Sequence, residues 1–525
     1  MDKPVSRTTP DLLAEMAGRY PDREFVIDGE FRFTYSEFQQ TVLGHAKGLY
    51  ALGMRRGSRM AILMDNRHEW LIAYFAAMSL GAEVVALNTW ATPPELAYQI
   101  RHADVALLVA EERIRDKALD DVLAGIASAD QGIDCLSRVI TADGAESDSR
   151  ICLAALPSLG ADVSNAALAA NVPETGDTAC ILYTSGSTST PKGVPLLHCG
   201  LIDNMWSIGE RMHLTPEDRL WLAVSLFWSF SCVNALFTVM THGGTVVLQH
   251  HFDAGEALRL IETERCSVFY GMPTMALAME AHPDRKNRDL GSLRTGATIG
   301  TPEQIQRIVD LGVREICNVY GLTEGYGNSA VIDAHDPLER RLRCSGQALV
   351  GSVIRIVDPE SGIVLPADEL GEIVIRGNVT PGYLNDPVRT AETFDAEGWM
   401  HSGDLGAMDA DGYLTFHGRI KELVKTGGIN VAPAEVEKVL IQHDSIEQAW
   451  VTGIPDTRLD EAVAAVIVLK NGAPPDPDDL IAWCRKTLAA YKVPRHYRFV
   501  SVAELPLTST GKLQKNRLGA FFQED

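Results

Sequence analysis

From about residue 10 to about residue 340, this chain of 525 residues alternates helical stretches with short β-branched runs, and no other feature constrains its fold so strongly. The runs fall at 60–64, 83–87, 105–109, 244–249, 267–270 and 315–319. Strand and helix in alternation mean a parallel sheet with helices on its faces. Ligands in such sheets gather at the carboxyl ends of the strands. The expected class is α/β, with a large N-terminal domain of doubly wound β/α subdomains. The apolar window 70–91 is broken by Gly81 and Glu83, so it reads as a helix running into a buried strand rather than a membrane span.

After Arg341 the pattern changes. Stretches 352–357, 371–376 and 412–416 read as strands between Gly- and Asp-rich turns, and a small β-barrel is expected over roughly 341–417. MDADGY (408–413) resembles part of a calcium loop, but Ala407 occupies its first ligand position, so a hairpin turn at Asp411-Gly412 is expected. A second boundary falls near 418–428. Beyond it, 435–443 and about 480–490 read as helices and 449–453 and 462–469 as strands, enough for a small α+β domain. The expected division is an N-terminal domain over 1–420 and a mobile C-terminal domain over 421–525.

A net charge of −23 excludes general affinity for nucleic acid or an anionic membrane, so any bound phosphate needs a local site. Nine cysteines show no CxxC pair and no metal-ligand spacing, as in a reduced cytosolic protein. The first residues lack the apolar core of a signal peptide. A cytoplasmic location is the expectation.

YTSGSTSTPKGV (183–194) has the chemistry of a phosphate cradle: Gly186 permits close approach, Thr184, Ser185, Ser187 and Thr188 supply hydroxyl donors, and Lys192 supplies charge. It is not a Walker loop, because Pro191 precedes the lysine and Gly193-Val194 follow it. A solvated polar linker has the same composition, and the loop alone leaves that choice open. Four further segments weigh against the linker. They are NVYGLTEGYG (318–327), which follows a buried strand, MHSGDLG (400–406), GRIKELVKTGGINVAPAEVE (418–437) and LTSTGKLQK (507–515).

In this order the five segments resemble the acyl-adenylating superfamily, in its acyl- and aryl-CoA synthetase branch. The resemblance runs from Phe33-Thr34-Tyr35 to Lys512, with Ser189 where glycine is more usual and Asp460-Glu461 in place of Gly-Glu. It implies an AMP-forming carboxylic acid–CoA ligase using ATP, Mg²⁺ and coenzyme A. By similarity, residues 184 to 192 hold the β- and γ-phosphates, with Thr184 and Glu324 at the Mg²⁺. Tyr320 stacks on adenine with Gly296-Ala297 on its other side. Asn318 and Thr323 stand in the same nucleotide-facing segment. Asp404 accepts both ribose hydroxyls, and Arg419 lies near the ribose and phosphates. Lys512 reaches between the α-phosphate and the substrate carboxylate. With Lys192 and Glu324 it forms the expected catalytic set. Lys421 occupies the hinge, and Lys425 with Gly427-Gly428 belongs to the face that lines the pantetheine tunnel once the C-terminal domain has turned.

Amino-acid-activating relatives carry an Asp where this chain has Trp228, and a buried ammonium facing an indole is poorly compensated, so an amino acid substrate is not expected. The other pocket residues implied are Phe230, Cys232, Val233, Thr298, Ile299, Gly321, Gly325 and Tyr326. The set is apolar and holds no basic side chain for a second carboxylate. A monoacid is expected, whether medium-chain, branched, alicyclic or aryl. Free CoA is the expected acceptor because no carrier-protein segment follows Lys512. A ligase charging a separate carrier protein is the alternative, and a non-catalytic nucleotide-binding homologue is disfavoured because Lys192, Glu324, Asp404, Arg419 and Lys512 are all present. A homodimer through the large domain is a family-level expectation.

Overall fold

The computed structural model describes residues 2–129, 135–143, 150–184, 191–426, 429–456, 458–470, 474–507 and 513–523. The chain divides into two units. The first comprises Met1–Ile354, Ile375–Met400 and Gly412–Leu414, and the second Arg355–Val374, His401–Asp411 and Thr415–Asp525.

Among the described residues, the first unit holds two large sheets. In the seven-stranded sheet, Thr178–Thr184, Glu83–Ala86, Arg59–Leu63, Leu107–Ala110, Arg138–Thr141 and Arg150–Cys152 run parallel. Lys192–Leu197 pairs antiparallel with the edge of that set. The nine-stranded sheet has a parallel centre, in order Glu315–Tyr320, Thr295–Thr298, Val268–Tyr270, Arg219–Leu222, Thr245–Leu248 and Glu24–Asp28. Short antiparallel strands finish both sides. The alternation in the sequence thus gives parallel sheets with helices between their strands.

The sequence supplies the punctuation. Thr34 with Glu37, and Thr301 with Gln304, form capping boxes that start the helices Tyr35–Ala51 and Pro302–Leu311. His68–Met78 is buried on all sides and runs into Glu83–Ala86, as the 70–91 window implies. Trp70 and Trp221 are fully buried, each contributing about 2–3 kcal/mol through lost apolar surface. Asp28, at the carboxyl end of its strand, accepts hydrogen bonds from the rings of His68 (2.7 Å) and His250 (2.8 Å) and from the His68 amide (3.0 Å). It thereby ties the start of one helix to the end of a neighbouring strand.

The stretch expected to form a small barrel supplies a four-stranded sheet, in order Ser352–Val357, Gly371–Gly377, Met400–Met408 and Leu414–Arg419. Gly412 takes a positive φ of 84° in the turn before its last strand, and the Asp409 carboxylate caps the Asp411 amide at 3.0 Å. In the second unit, Ile446–Asp456 and Asp460–Leu469 form a long antiparallel pair, with Val424–Thr426 and His496–Phe499 pairing on the latter. The helices Pro433–Ile441 and Pro477–Cys484 supply Val436, Leu440, Leu480 and Cys484 to its core. No helix among the described residues is long and apolar enough to cross a membrane.

Candidate active site

The hydroxyl-rich segment begins and ends on two paired strands. Thr178–Thr184 and Lys192–Leu197 pair antiparallel, and their last register pair sets Thr184 opposite Lys192. Residues 185–190, including Ser185, Gly186, Ser187 and Thr188, lie outside the described residues. The inner strand is apolar and buried from Ala179 to Leu182. The outer strand contains Pro195, which an edge position tolerates because no ladder donor is needed there.

At the mouth of this hairpin Lys192 meets a tyrosine that sequence reasoning missed. Its ammonium donates to the Tyr383 hydroxyl at 3.2 Å and stands 4.4 Å from the centre of that ring. The same hydroxyl donates to Glu324 Oε1 at 2.8 Å. Burial pushes the Tyr383 phenol above the ordinary tyrosine range, and the Glu324 charge adds to this, so the phenol remains a donor. Thr380 and Tyr383 lace the segment in place. The Thr380 hydroxyl donates to Pro195 O and its amide to Glu324 O, both at 2.6 Å, while the Leu384 amide donates to Gly193 O at 2.9 Å.

Glu324 lies in the short turn Thr323–Gly325 just past the carboxyl end of Glu315–Tyr320. Tyr320 closes that strand and is buried. Asn318, two residues earlier, is buried too and donates to Cys344 O at 3.2 Å. Thr323 Oγ1 lies 3.3 Å from Ser229 Oγ. Gly296 and Ala297 sit in the adjacent strand, where Thr298 pairs with Asn318. A Cβ on Gly296 would fall 1.8 Å from the Phe269 carbonyl oxygen, so the strand spacing itself requires glycine there.

The residues implied for the acid pocket divide by burial. Trp228 packs edge-to-face on Trp90 (5.6 Å) and Phe227 (5.8 Å), just before a π-helical stretch, Ser229–Ala235. Phe230 packs on Tyr270 at 4.5 Å. Cys232, Val233 and Thr298 are fully buried, whereas Ile299 is exposed. Tyr326 has left-handed backbone (φ 57°) and lies buried, its hydroxyl accepting from the Leu197 amide at 3.1 Å. Gly321 and Gly325 flank the Glu324 turn. A Cβ on Gly321 would stand 2.2 Å from the Gly327 carbonyl oxygen, which keeps this loop tightly folded.

The second unit pairs two of the expected residues. Asp404 is buried on Met400–Met408, and its Oδ1 lies 3.3 Å from Arg419 Nε. Lys421 is exposed in the turn Ile420–Glu422, and the Lys425 amide donates to Glu461 Oε2 at 2.7 Å. Lys515 reaches Glu437 at 3.0 Å and Glu422 at 3.2 Å. Gly427, Gly428 and Lys512 lie outside the described residues.

A lysine and a carboxylate joined through one phenol stand at the carboxyl ends of parallel strands, where α/β enzymes gather their ligands. The AMP-binding enzyme family matches residues 13–384, and the AMP-binding enzyme C-terminal domain matches 435–512. This chain belongs to that family of AMP-binding enzymes. It is 35% identical to a feruloyl-CoA synthase from Amycolatopsis sp, over 95% of this chain and 96% of the relative. It is 33% identical to the mitochondrial medium-chain acyl-CoA ligase ACSF2 of Danio rerio, over 98% and 88%. Among solved structures, ATP-bound MatB from Rhodopseudomonas palustris superposes with a TM-score of 0.84 at 27% identity, covering 98% of this chain and 99% of that one.

Proposed function

We propose that this AMP-forming acid–CoA ligase activates an apolar monocarboxylic acid as its acyl-adenylate and passes the acyl group to coenzyme A. A carboxylate is a poor electrophile, whereas an acyl phosphate anhydride reacts readily with a thiol. The acid's carboxylate attacks the α-phosphorus of ATP and pyrophosphate leaves. The CoA thiolate then attacks the acyl carbon and AMP leaves. The protein's contribution is to align anions and offset their charge.

The observation that carries this reading is the Lys192–Tyr383–Glu324 chain at the hairpin mouth. Lys192 and the 184–188 donors grip the β- and γ-phosphates. Glu324, with Thr184 paired opposite Lys192, offers hard oxygen donors that fit Mg²⁺, and when bound the ion supplies charge neutralisation on the phosphates. Tyr320 and Gly296-Ala297 take the adenine, with Asn318 and Thr323 beside it. Asp404 takes the ribose, oriented by Arg419. Lys512 stabilises the charge that develops as the anhydride forms. Residues 421–525 turn about Lys421 between the half-reactions, exchanging Lys512 for the face of Lys425, Gly427 and Gly428.

Trp228, Phe230, Cys232, Val233, Thr298, Ile299, Gly321, Gly325 and Tyr326 form the acid pocket. Its apolar character and the names of the aryl and medium-chain relatives support an uncharged acyl tail. The enzyme works in the cytoplasm as a homodimer, without nucleic-acid or membrane partners. Pyrophosphate release across fatty, branched, alicyclic and aromatic acids, with and without CoA, tests the proposal. Turnover of one acid class that depends on CoA is expected. Release limited to about one equivalent and indifferent to CoA would favour a carrier-protein acceptor instead.

A further inference from the structure

We propose that His213, Asp333 and His335 form a binding site for a divalent first-row transition metal ion such as zinc, separate from the nucleotide's Mg²⁺. His213 follows the helix His198–Arg211, in left-handed backbone (φ 51°). Asp333 and His335 stand in the loop after the strand Ala330–Val331. The His213 ring lies 2.8 Å from Asp333 Oδ1 through Nε2, and the His335 amide donates to the same oxygen at 2.9 Å. The two imidazoles stack with their centres 3.7 Å apart. One donor atom from each of the three residues falls within 4.8 Å of the others.

Zinc sits about 2.0–2.1 Å from imidazole nitrogen and carboxylate oxygen, so donors around one tetrahedral ion stand about 3.4 Å apart. Donors at that 4.8 Å limit therefore close by about 1.4 Å when an ion binds. An ion also lies in the plane of each ring it binds, so the stacked rings must fan apart. His335, more than half exposed, can turn at little cost. Glu315 Oε1 lies 3.8 Å from His335 Nε2, but Arg294 holds that carboxylate at 3.0 Å, so the fourth position is left to water.

The surrounding charge permits a cation. Arg211 faces Asp333 at 3.9 Å, and Arg294 binds Glu315 at 3.0 Å and Asp218 at 2.7 Å. Three carboxylates against two guanidiniums leave one negative charge in excess. Two nitrogen donors select zinc, cobalt, nickel or copper over magnesium and calcium. Glu315 opens the strand that Tyr320 closes, so the ion would sit at the opposite end of that strand from Glu324. It would clip the turn after the helix His198–Arg211 to the loop after Ala330–Val331.

The test uses full-length protein, Zn²⁺ uptake at equilibrium and the electron paramagnetic resonance of a Cu²⁺ complex. One Zn²⁺ should bind saturably, with affinity lowered about tenfold or more by His335→Ala and by Asp333→Asn. Nitrogen hyperfine structure from two imidazoles should fall to one in His335→Ala, an exposed position whose truncation spares the fold. Absence of saturable uptake overturns the proposal. So does uptake unchanged by both substitutions, which would place the ion on thiolates or other groups elsewhere.

Discussion

Tyr383 donates its phenolic proton to Glu324 across 2.8 Å, although 59 positions separate the two in the chain. Since the same hydroxyl receives Lys192, Tyr383→Phe leaves both charged groups without their shared partner. A hydrogen bond to a charged group contributes about 1.5–3 kcal/mol, so acyl-adenylate formation should slow by roughly ten- to a hundredfold and the melting temperature should fall by a few degrees. Pyrophosphate exchange measures this. A wild-type rate would reduce Tyr383 to packing.

Lys512→Ala should cripple acyl-adenylate formation while largely sparing thioester formation from supplied acyl-AMP. Single-turnover assays of the two half-reactions separate the outcomes. Equal loss in both would sink the idea that the C-terminal domain offers different faces to each step.

Gly296→Ala places a methyl group against the Phe269 carbonyl in the middle of a parallel sheet. Relief demands movement of backbone, at a cost of about 2–3 kcal/mol. The ligand-free protein should therefore melt several degrees lower. An unchanged melting temperature in the absence of nucleotide would mean that this glycine serves only the approach of adenine.

The Asp28–His250 pair gives stability a pH window. Burial works to raise the Asp28 carboxyl, but hydrogen bonds from His250 and His68 outweigh it and hold the carboxyl well below the usual range. The Asp28 bond in turn raises His250. The carboxylate's contribution is present above its unfolded value, about 3.9, and fades as pH falls through the folded one. The imidazolium's contribution is complete below its unfolded value, about 6.5, and disappears as pH rises through the raised one. His250→Gln should therefore lower the melting temperature most near pH 5–6 and progressively less toward pH 8. Thermal melts across that range check the sign, and a loss that grows on the alkaline side would contradict it.

Much of this architecture was legible because burial and period coincide. The runs at 83–87 and 315–319 become Glu83–Ala86 and Glu315–Tyr320, since β-branched residues between helices have little else to form. Two-residue strands such as Ala330–Val331 carry too little pattern to detect. The outer hairpin strand was hidden by Pro195, which argues against a strand anywhere but at an edge. At the site, Lys192 and Glu324 stood out because charged residues near buried strands are conspicuous. Tyr383 did not, because it sits in TPGYLNDP, a turn-like stretch whose neighbours in space are 59 and 191 positions away. The π-helical turn at Ser229–Ala235 likewise has no period of its own in the sequence.

The hairpin that ends at Thr184 and Lys192 returns as a strand, not a helix. A phosphate loop that opens a helix gains from the positive end of the helix macrodipole, worth about half an elementary charge. The strand that follows this loop supplies no such macrodipole, so the Lys192 ammonium carries more of the task of offsetting the phosphates' charge. A Walker-type loop that loses its lysine keeps an electropositive backbone. Lys192→Met should therefore cost ATP far more affinity than it costs charge-neutral isosteres of the phosphate chain.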